Sequence, residues 1–293
     1  MRKVLLWIRI CRPQTLFASL VPVLVAAIGV APEYRKTIPL LCTALCALSL
    51  QILSNLINDY YDYVRGNDKA GRAGFKRALA EGEVSRKSML WACLTAAGMS
   101  CLLGLYLVCI GGWVILAIGL SALLFDWLYK ATNHSLSYLG IADIFVFLYY
   151  GVVASCGTTY ILYSYSAFVA DSCVMDVFVR SFFAGGVSGL ISMCVLMINN
   201  LRDIDDDRRV GKKTFPVRFG KLSAEVLMLL EVLLMPVFAW MAWGLSPSLI
   251  VVFLGLLLWY RVHKAQGAQY NRCLLFTGLL NVAYLILILL GQL

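Results

Sequence analysis

Residues 178–209 read FVRSFFAGGVSGLISMCVLMINNLRDIDDDRR, a long apolar run that ends in a cluster of amides, acids and bases. The apolar part, 178–199, supplies the roughly 20 residues that a helix needs to cross the hydrocarbon core of a bilayer. Ionisable side chains in a membrane are costly, so acids at the end of a spanning helix are candidates for function. The stretch therefore predicts a membrane helix with a functional site at one end.

The whole chain has the composition of a membrane protein. Of its 293 residues, 61% are hydrophobic and 14% are charged, and the mean hydropathy is +0.82. Soluble domains are about half apolar and about a quarter charged, and a chain with so little polar surface cannot cover a water-soluble fold. A soluble globular protein is therefore excluded, and the sequence predicts an all-α integral membrane protein.

Nine apolar segments are long enough to span a bilayer, and turn signals such as Gly111-Gly112 mark several of the joints between them. The segments lie near 14–31, 38–58, 88–109, 112–130, 139–163, 178–199, 223–244, 247–262 and 273–291. The sequence therefore predicts nine transmembrane helices in a single domain that covers residues 1–293.

The basic residues are concentrated on one side of this predicted topology. With the N-terminus in the cytoplasm, the N-terminal tail and the four cytoplasmic loops hold 22 of the 25 Lys and Arg residues, and only Arg35, Lys36 and Arg180 lie on the other side. Cytoplasmic loops of membrane proteins are enriched in Lys and Arg, so we expect a cytoplasmic N-terminus and an external C-terminus. Because topology accounts for this charge, nucleic acid is not an expected partner.

Two matched acidic motifs close the second and the sixth predicted spans. At about 100° per residue, the amides and most acids of each motif share one helix face, whereas Asp205 points away from it. The residues that share a face are Asn55, Asn58, Asp59 and Asp62 in the first motif, and Asn199, Asn200, Asp203, Asp206 and Asp207 in the second. Both motifs are predicted at the cytoplasmic surface, and each leads into a loop with seven basic residues.

This combination of groups suits the binding of a diphosphate. Mg²⁺ prefers a few carboxylate oxygens, water and substrate phosphates, so two facing sets of carboxylates could hold Mg²⁺ on a diphosphate. The candidate cations for the remaining phosphate charge are Arg65, Lys69, Arg72, Arg202, Lys212 and Lys213. Together these groups would stabilise the charge that grows on a leaving diphosphate. The apolar helices would hold a hydrocarbon tail and shield a carbocation from water.

The spacing of the motifs predicts how the two halves of the chain are arranged. From Asp59 to Asp203 there are 144 residues, which contain four predicted spans. An even number of spans gives both motif helices the same direction, so we predict a parallel pseudo-repeat of spans 1–4 and 5–8 followed by a ninth helix. The active site is then expected between the second and sixth helices. The alternative is that the acids only cap helices and the basic loops only set the orientation.

Asn58-Asp59-x-x-Asp62 and Asn200-x-x-Asp203-x-x-x-Asp207 resemble the two aspartate-rich motifs of the UbiA superfamily of intramembrane prenyltransferases. Within it, several stretches are most similar to the branch that prenylates 1,4-dihydroxy-2-naphthoate in menaquinone synthesis. These stretches are Arg12-Pro13-x-Thr15, Leu136-x-Tyr138-x-Gly140-Ile-x-Asp143, Asn199-Asn200-Leu-Arg202-Asp203-Ile204, Gly211-Lys212-x-Thr214 and Tyr270-Asn271. The resemblance extends from residue 12 to about residue 280, which is nearly the whole chain.

The resemblance implies nine helices around a central cavity in a bacterial inner membrane. It implies that Asp59, Asp62, Asp203 and Asp207 bind Mg²⁺ and diphosphate, with Asn55, Asn58, Asn199 and Asn200 in support. It also implies the reaction. A polyprenyl diphosphate ionises, the aromatic carbon that bears the carboxylate attacks the cation, and loss of CO₂ and diphosphate leaves demethylmenaquinol.

Several alternatives stay open from the sequence. Another branch of the superfamily would use a different acceptor, such as 4-hydroxybenzoate, homogentisate, haem or a lipid glycerol. A secondary transporter also combines repeats with acids inside the membrane, although transporter sites lie near the midplane. Tyr138 and Asp143 could bind a substrate hydroxyl or could pack as a polar pair, and Asp143 could instead pair with Lys130. The roles of Asp68 and Glu231 are open.

Overall fold

The computed structural model describes residues 2–66, 77–130, 142–166 and 174–291, and every regular element in these ranges is helical. The helices are α1 (Arg2–Cys11), α2 (Pro13–Gly29), α3 (Thr37–Val64), α4 (Arg86–Lys130), α5 (Ala142–Tyr165), α6 (Val174–Arg202), α7 (Ile204–Arg209), α8 (Phe215–Trp243), α9 (Leu245–Lys264) and α10 (Gln269–Leu290). The prediction of an all-α protein is confirmed for this part of the chain.

Seven of these helices are long and apolar enough to cross a membrane, and α1 and α2, which meet at an angle of 52°, make an eighth span if they are counted together. The backbone of α4 is non-helical at Gly112 (φ 58°, ψ −144°), at the joint predicted between two spans. Counting the two sides of Gly112 separately would give nine spans. That count, the orientation of the termini and the pseudo-repeat stay predictions.

Helix α6, which carries the second motif, lies at the centre of the bundle. In its most apolar window 72% of the residues are buried, compared with 17–39% in the other candidate spans. Residues of α2, α6, α8, α9 and α10 form the largest core cluster around it. Because α6 is packed against so many neighbouring helices, the motif at its C-terminal end is held in a fixed position.

The backbones of helix α5 and helix α6 approach each other closely. The middle of α5, Leu148–Val153, is a π-helix. A Cβ atom at Gly185 would lie 2.6 Å from the carbonyl oxygen of Gly151, and one at Gly189 would lie 2.8 Å from the carbonyl oxygen of Phe147. Small residues permit such close approach of membrane helices, and these glycines therefore set the distance between α5 and α6.

The two motif-bearing helices are separated by α2, which packs against both α3 and α6. The described parts of the two motifs nevertheless meet, because Lys212 contacts Asp62 in the first motif and Asp207 in the second. The site is therefore built by the segments around residues 12, 77 and 212 as well as by the two long helices.

Candidate functional site

The side chain of Lys212 joins the two acidic motifs. Its Nζ lies 3.2 Å from Oδ1 of Asp207 in the second motif and 3.8 Å from Oδ1 of Asp62 in the first. All three side chains are at least nine-tenths buried. This buried cation brings the two acidic motifs together at one point, where the sequence analysis predicts a single site.

The local backbone explains why Lys212 reaches this position. Helix α7 ends in a Schellman motif, in which Lys212 N donates to the carbonyl oxygen of Asp207 (2.9 Å) and Gly211 N donates to that of Arg208 (3.3 Å). Gly211 has φ +75°, a conformation that glycine adopts without strain. Gly211 and Lys212 therefore act together. Gly211 allows the chain to reverse direction, and this reversal lets the Lys212 side chain contact Asp62 and Asp207.

Two arginines that the sequence analysis did not select contact the first motif. Both Arg12 and Arg77 form ion pairs with Oδ1 of Asp59, and Nη2 of Arg77 lies 4.0 Å from Oδ2 of Asp62. The Arg77 side chain is only 15% exposed. The site therefore holds Arg12, Arg77 and Lys212 beside the carboxylates, which is the charge that a diphosphate would require.

Arg12 reaches Asp59 from a strained turn between α1 and α2. Its φ of +52° is the only positive φ of a non-glycine residue in the described part of the chain. Asn55 Nδ2 donates to the carbonyl oxygen of Cys11 (3.0 Å) and to Thr15 Oγ1 (2.9 Å), and Thr15 Oγ1 donates to the carbonyl oxygen of Arg12 (2.9 Å). Asn55 thus supports the site by holding this turn. These hydrogen bonds explain the role of Arg12 and Thr15 in the Arg-Pro-x-Thr stretch.

Arg77 is held by the turn that precedes α4. Ala78 and Leu79 are buried against α1, α3 and α4, and Gly82, at φ +69°, closes the turn. Glu81 N donates to the carbonyl oxygen of Arg77 (3.0 Å). Because the turn is anchored in this way, Arg77 can contact a buried carboxylate although it lies in a loop.

In the second motif the helix breaks at Asp203 (φ −98°, ψ 11°), where the sequence analysis assumed one continuous helix. Asp203 and Asp207 are both buried. Asp206 is half-buried and lies 3.4 Å from Arg209, and the Asp205 side chain is 75% exposed. The expected outward position of Asp205 agrees with the structure, whereas Asp206 does not share the buried position of Asp203 and Asp207.

The remaining predicted residues fall into three groups. Arg202 is buried and binds Asp203 through Nε (2.8 Å) and Nη2 (2.9 Å). Asn58, Asn199, Asn200 and Arg65 are half-buried, Asn199 Nδ2 donates to the carbonyl oxygen of Val195 (2.9 Å), and Lys213 is exposed. Asp68, Lys69, Arg72 and Tyr138 lie outside the described residues.

The donor set fits Mg²⁺. Asn58 Oδ1 is buried and has no hydrogen-bond partner among the described residues, although it lies next to Asp59 in the chain. Within the described ranges no three acidic, cysteine or histidine side chains converge closely enough to hold a metal unaided. Mg²⁺ is commonly held by one or two carboxylates together with substrate phosphates, so a divided set of Asp59, Asp62, Asp203 and Asp207 suits a metal that arrives with a diphosphate.

A cavity of about 320 Å³ lies between α2, α3, α4 and α5. Most of its walls are apolar, and Gln51 lines it. Gln51 precedes Asp59 by eight residues on α3, so this wall of the cavity lies about 12 Å below the motif. At the same cavity, the ring of Phe125 stacks on those of Phe145 (4.9 Å) and Tyr149 (5.0 Å). The structure therefore contains an apolar cavity with an aromatic wall below the charged site.

Two buried acids lie outside this arrangement of motifs. Asp143 at the start of α5 and Glu231 in α8 are 7% and 2% exposed. Cys194 Sγ lies 3.4 Å from Oε2 of Glu231. Asp143 Oδ1 and Glu231 Oε1 have no hydrogen-bond partner among the described residues. Neither residue lines the cavity.

The bridging position of Lys212 leads to a testable expectation. Lys212→Met removes the charge between Asp62 and Asp207 but keeps most of the side-chain volume, and we expect kcat/KM for a prenyl diphosphate to fall by about 10²-fold. The neighbouring Lys213→Met variant is the matched control, because Lys213 is exposed. Equal losses in the two variants would mean that general charge in this loop matters and the bridge does not.

Comparison with known proteins agrees with this geometry. The sequence profile described as the UbiA prenyltransferase family matches residues 19–286. The chain is 32% identical over 231 residues to 1,4-dihydroxy-2-naphthoate octaprenyltransferase of Escherichia coli (strain K12), covering 74% of this chain and 70% of that relative. It is 31% identical over 259 residues to the protein of the same name from Bacillus subtilis (strain 168), covering 85% and 78%. Its fold resembles a UbiA homologue from Archaeoglobus fulgidus bound to GPP and Mg²⁺ (TM-score 0.65, 16% identity, 97% of this chain and 98% of that chain).

Proposed function

Because the chain belongs to the UbiA prenyltransferase family, and is thus a multi-pass membrane enzyme that prenylates an aromatic acceptor, we propose that its acceptor is 1,4-dihydroxy-2-naphthoate. The donor is a polyprenyl diphosphate, the reaction depends on Mg²⁺, and the products are demethylmenaquinol, CO₂ and diphosphate. We place the enzyme in the bacterial inner membrane. The family assignment confirms the resemblance found in the motifs and leaves the transporter alternative without support.

The contact of Lys212 with Asp62 and Asp207 carries the proposal for the donor site. It brings both acidic motifs to one point, beside Arg12 and Arg77 and above the apolar cavity. A polyprenyl diphosphate likewise has a charged part and an apolar part, because its diphosphate is attached to a long hydrocarbon chain. We place the diphosphate among these charged groups and the hydrocarbon chain in the cavity.

The residues of the chain act on the allylic C–O bond. When this bond breaks, its electron pair stays on the diphosphate oxygen, and Arg12, Arg77 and Lys212 lower the energy of that growing charge. Mg²⁺, when held by Asp59, Asp62, Asp203 and Asp207, would neutralise further negative charge on the same group. The apolar walls exclude water, which would otherwise capture the allylic cation.

The acceptor then forms the new bond. The aromatic carbon that bears the carboxylate attacks the cation, a C–C bond forms, and loss of CO₂ restores the aromatic ring. The choice of naphthoate rests on the Asn199-Asn200-Leu-Arg202-Asp203-Ile204 stretch and on the relatives of 31–32% identity that carry this substrate in their names.

Purified enzyme incubated with Mg²⁺, a long-chain polyprenyl diphosphate and one acceptor at a time tests the proposal. With 1,4-dihydroxy-2-naphthoate we expect prenylated product together with released CO₂, and we expect neither with 4-hydroxybenzoate or after chelation of Mg²⁺. Product from 4-hydroxybenzoate alone would keep the donor site and overturn the acceptor. Product from the naphthoate without CO₂ would overturn the site of attack.

The position of the hydrocarbon chain can be tested at Gly157. This residue lines the cavity, and a Cβ atom there would meet no atom within 4 Å. Gly157→Phe should therefore fill the cavity without disturbing α5, and we expect it to lower kcat/KM for a long-chain donor relative to geranyl diphosphate by about tenfold. Gly157→Ala is the control for backbone effects. An unchanged donor preference in Gly157→Phe would place the chain elsewhere.

A further inference from the structure

The guanidinium of Arg202 donates hydrogen bonds to both Asp203 and Asn271. Nε and Nη2 donate to the two carboxylate oxygens of Asp203, and Nη1 donates to Oδ1 of Asn271 at 2.9 Å. The Arg202 side chain is 5% exposed. The sequence analysis assigned Arg202 to the diphosphate, but its described contacts are directed to Asp203 and to α10.

Adjacent residues in a helix point about 100° apart, so a two-point contact between Arg202 and Asp203 needs a break in the helix. The break occurs at Asp203, directly after α6 ends at Arg202. A guanidinium bound through two parallel hydrogen bonds fixes the plane of the carboxylate. The plane of Asp203 therefore depends on the orientation of the Arg202 guanidinium.

Asn271 fixes that orientation from the far end of the chain. It lies in the first turn of α10, which follows Gly267 at φ +51° and is anchored by the buried Tyr270 and Cys273. Its side-chain oxygen is an acceptor for the donor edge of Arg202 that Asp203 does not use. A rigid helix start thus determines the direction of a carboxylate at the site.

We infer that Asn271 is a positioning residue for the second acidic motif. It holds the Arg202 guanidinium, and through it the plane of the Asp203 carboxylate. The inference rests on the proposed function in requiring a metal–diphosphate at that position. Groups that orient metal ligands typically change metal affinity by about 10- to 100-fold when they are removed.

The test is the Mg²⁺ concentration that gives half-maximal binding of geranyl diphosphate to the purified full chain, measured by calorimetry without acceptor. Asn271→Leu and Asn271→Ala remove the acceptor atom, and we expect each to raise that concentration by at least about tenfold. Asn271→Asp keeps an acceptor oxygen and should stay within about threefold of wild type.

Asn281 provides a matched control on the same helix. It is buried, accepts a hydrogen bond from Ser188 Oγ (3.0 Å) and lies more than two helical turns from Asn271. Asn281→Ala should lower thermal stability and leave the Mg²⁺ dependence of binding unchanged.

Three results would overturn the inference. The first is a wild-type Mg²⁺ dependence in folded Asn271→Leu or Asn271→Ala, and the second is an equal shift in Asn281→Ala, which would indicate a general structural effect. The third is an Asn271→Asp variant as impaired as Asn271→Leu. Failure of wild-type enzyme to bind geranyl diphosphate with Mg²⁺ would instead reject the proposed function, and the inference with it.

Discussion

Asp59→Asn and Asp203→Asn will each lower the turnover of prenyl diphosphate by at least about 10³-fold, or about 4 kcal/mol of transition-state stabilisation. Each substitution removes a buried negative charge but keeps an oxygen that can accept from the arginines beside it. The fold should therefore survive while metal binding is lost. Initial rates at saturating Mg²⁺ and naphthoate, with thermal stability measured in parallel, give the result.

Asp205→Asn is the matched control for these two variants. Asp205 belongs to the same acidic run, but its side chain is 75% exposed and its nearest described partner is Arg208, at 3.7 Å. Its turnover should stay near that of wild type. A variant of Asp205 as inactive as that of Asp203 would show that negative charge at this surface matters more than the two buried positions.

Gly185→Leu will prevent the protein from reaching its folded state. A Cβ atom at this position would lie 1.9 Å from Ser155 Oγ and 2.6 Å from the carbonyl oxygen of Gly151. The second of these is a backbone atom of α5, so α5 and α6 must separate to admit any side chain. Overpacking typically costs about 1–3 kcal/mol and occasionally more, and a clash with backbone atoms puts this variant at the upper end. The yield of monodisperse protein in detergent and its unfolding temperature are the measurements.

Gly98→Ala provides the comparison for Gly185→Leu. Gly98 is exposed in the interior of α4, and a Cβ atom there would meet nothing within 4 Å. Alanine favours helix by about 1 kcal/mol relative to glycine, so this variant should be as stable as wild type or slightly more stable. A folded and equally stable Gly185→Leu would mean that α5 and α6 are not held by this contact.

The sequence predicted the parts of the site that depend on periodicity. Asp59 and Asp62 share a helix face because they lie three residues apart, and both are buried as expected. The pairing of the two motifs followed from an even number of spans between them, and Lys212 was selected because it lies in a basic loop. Each of these inferences uses only the spacing or the composition of the sequence and needs no knowledge of tertiary contacts.

The contacts of Arg12 and Arg77 could not be predicted in the same way. They lie 47 residues before and 18 residues after Asp59, and the turns that hold them depend on packing against other helices. The residue type at position 12 does not indicate a positive φ, since glycine is the residue that usually adopts one. A partial signal existed for Arg77, which belongs to the same basic loop as the three cations that were selected.

The helix break at Asp203 is a second feature that could not be predicted from the sequence. Residues 190–202 contain no proline or glycine, and residues 205–209, which follow the break, are Asp and Arg. The bend is associated with the hydrogen bonds of Arg202 to Asp203 and to Asn271, which is 69 residues away from Arg202. The Gly185 and Gly189 contact did have a sequence signal, because small residues four apart are typical of close helix packing, and Gly151 and Ser155 on α5 have the same spacing.

The most direct measurement of whether the two motifs form one site is the binding of geranyl diphosphate, with Mg²⁺, to wild type, Asp59→Asn, Asp203→Asn and the double variant. One shared site predicts a single diphosphate bound per chain, loss of Mg²⁺-dependent binding in each single variant, and no further loss in the double variant. Two bound diphosphates per chain, or single variants whose losses simply add in the double variant, would contradict it.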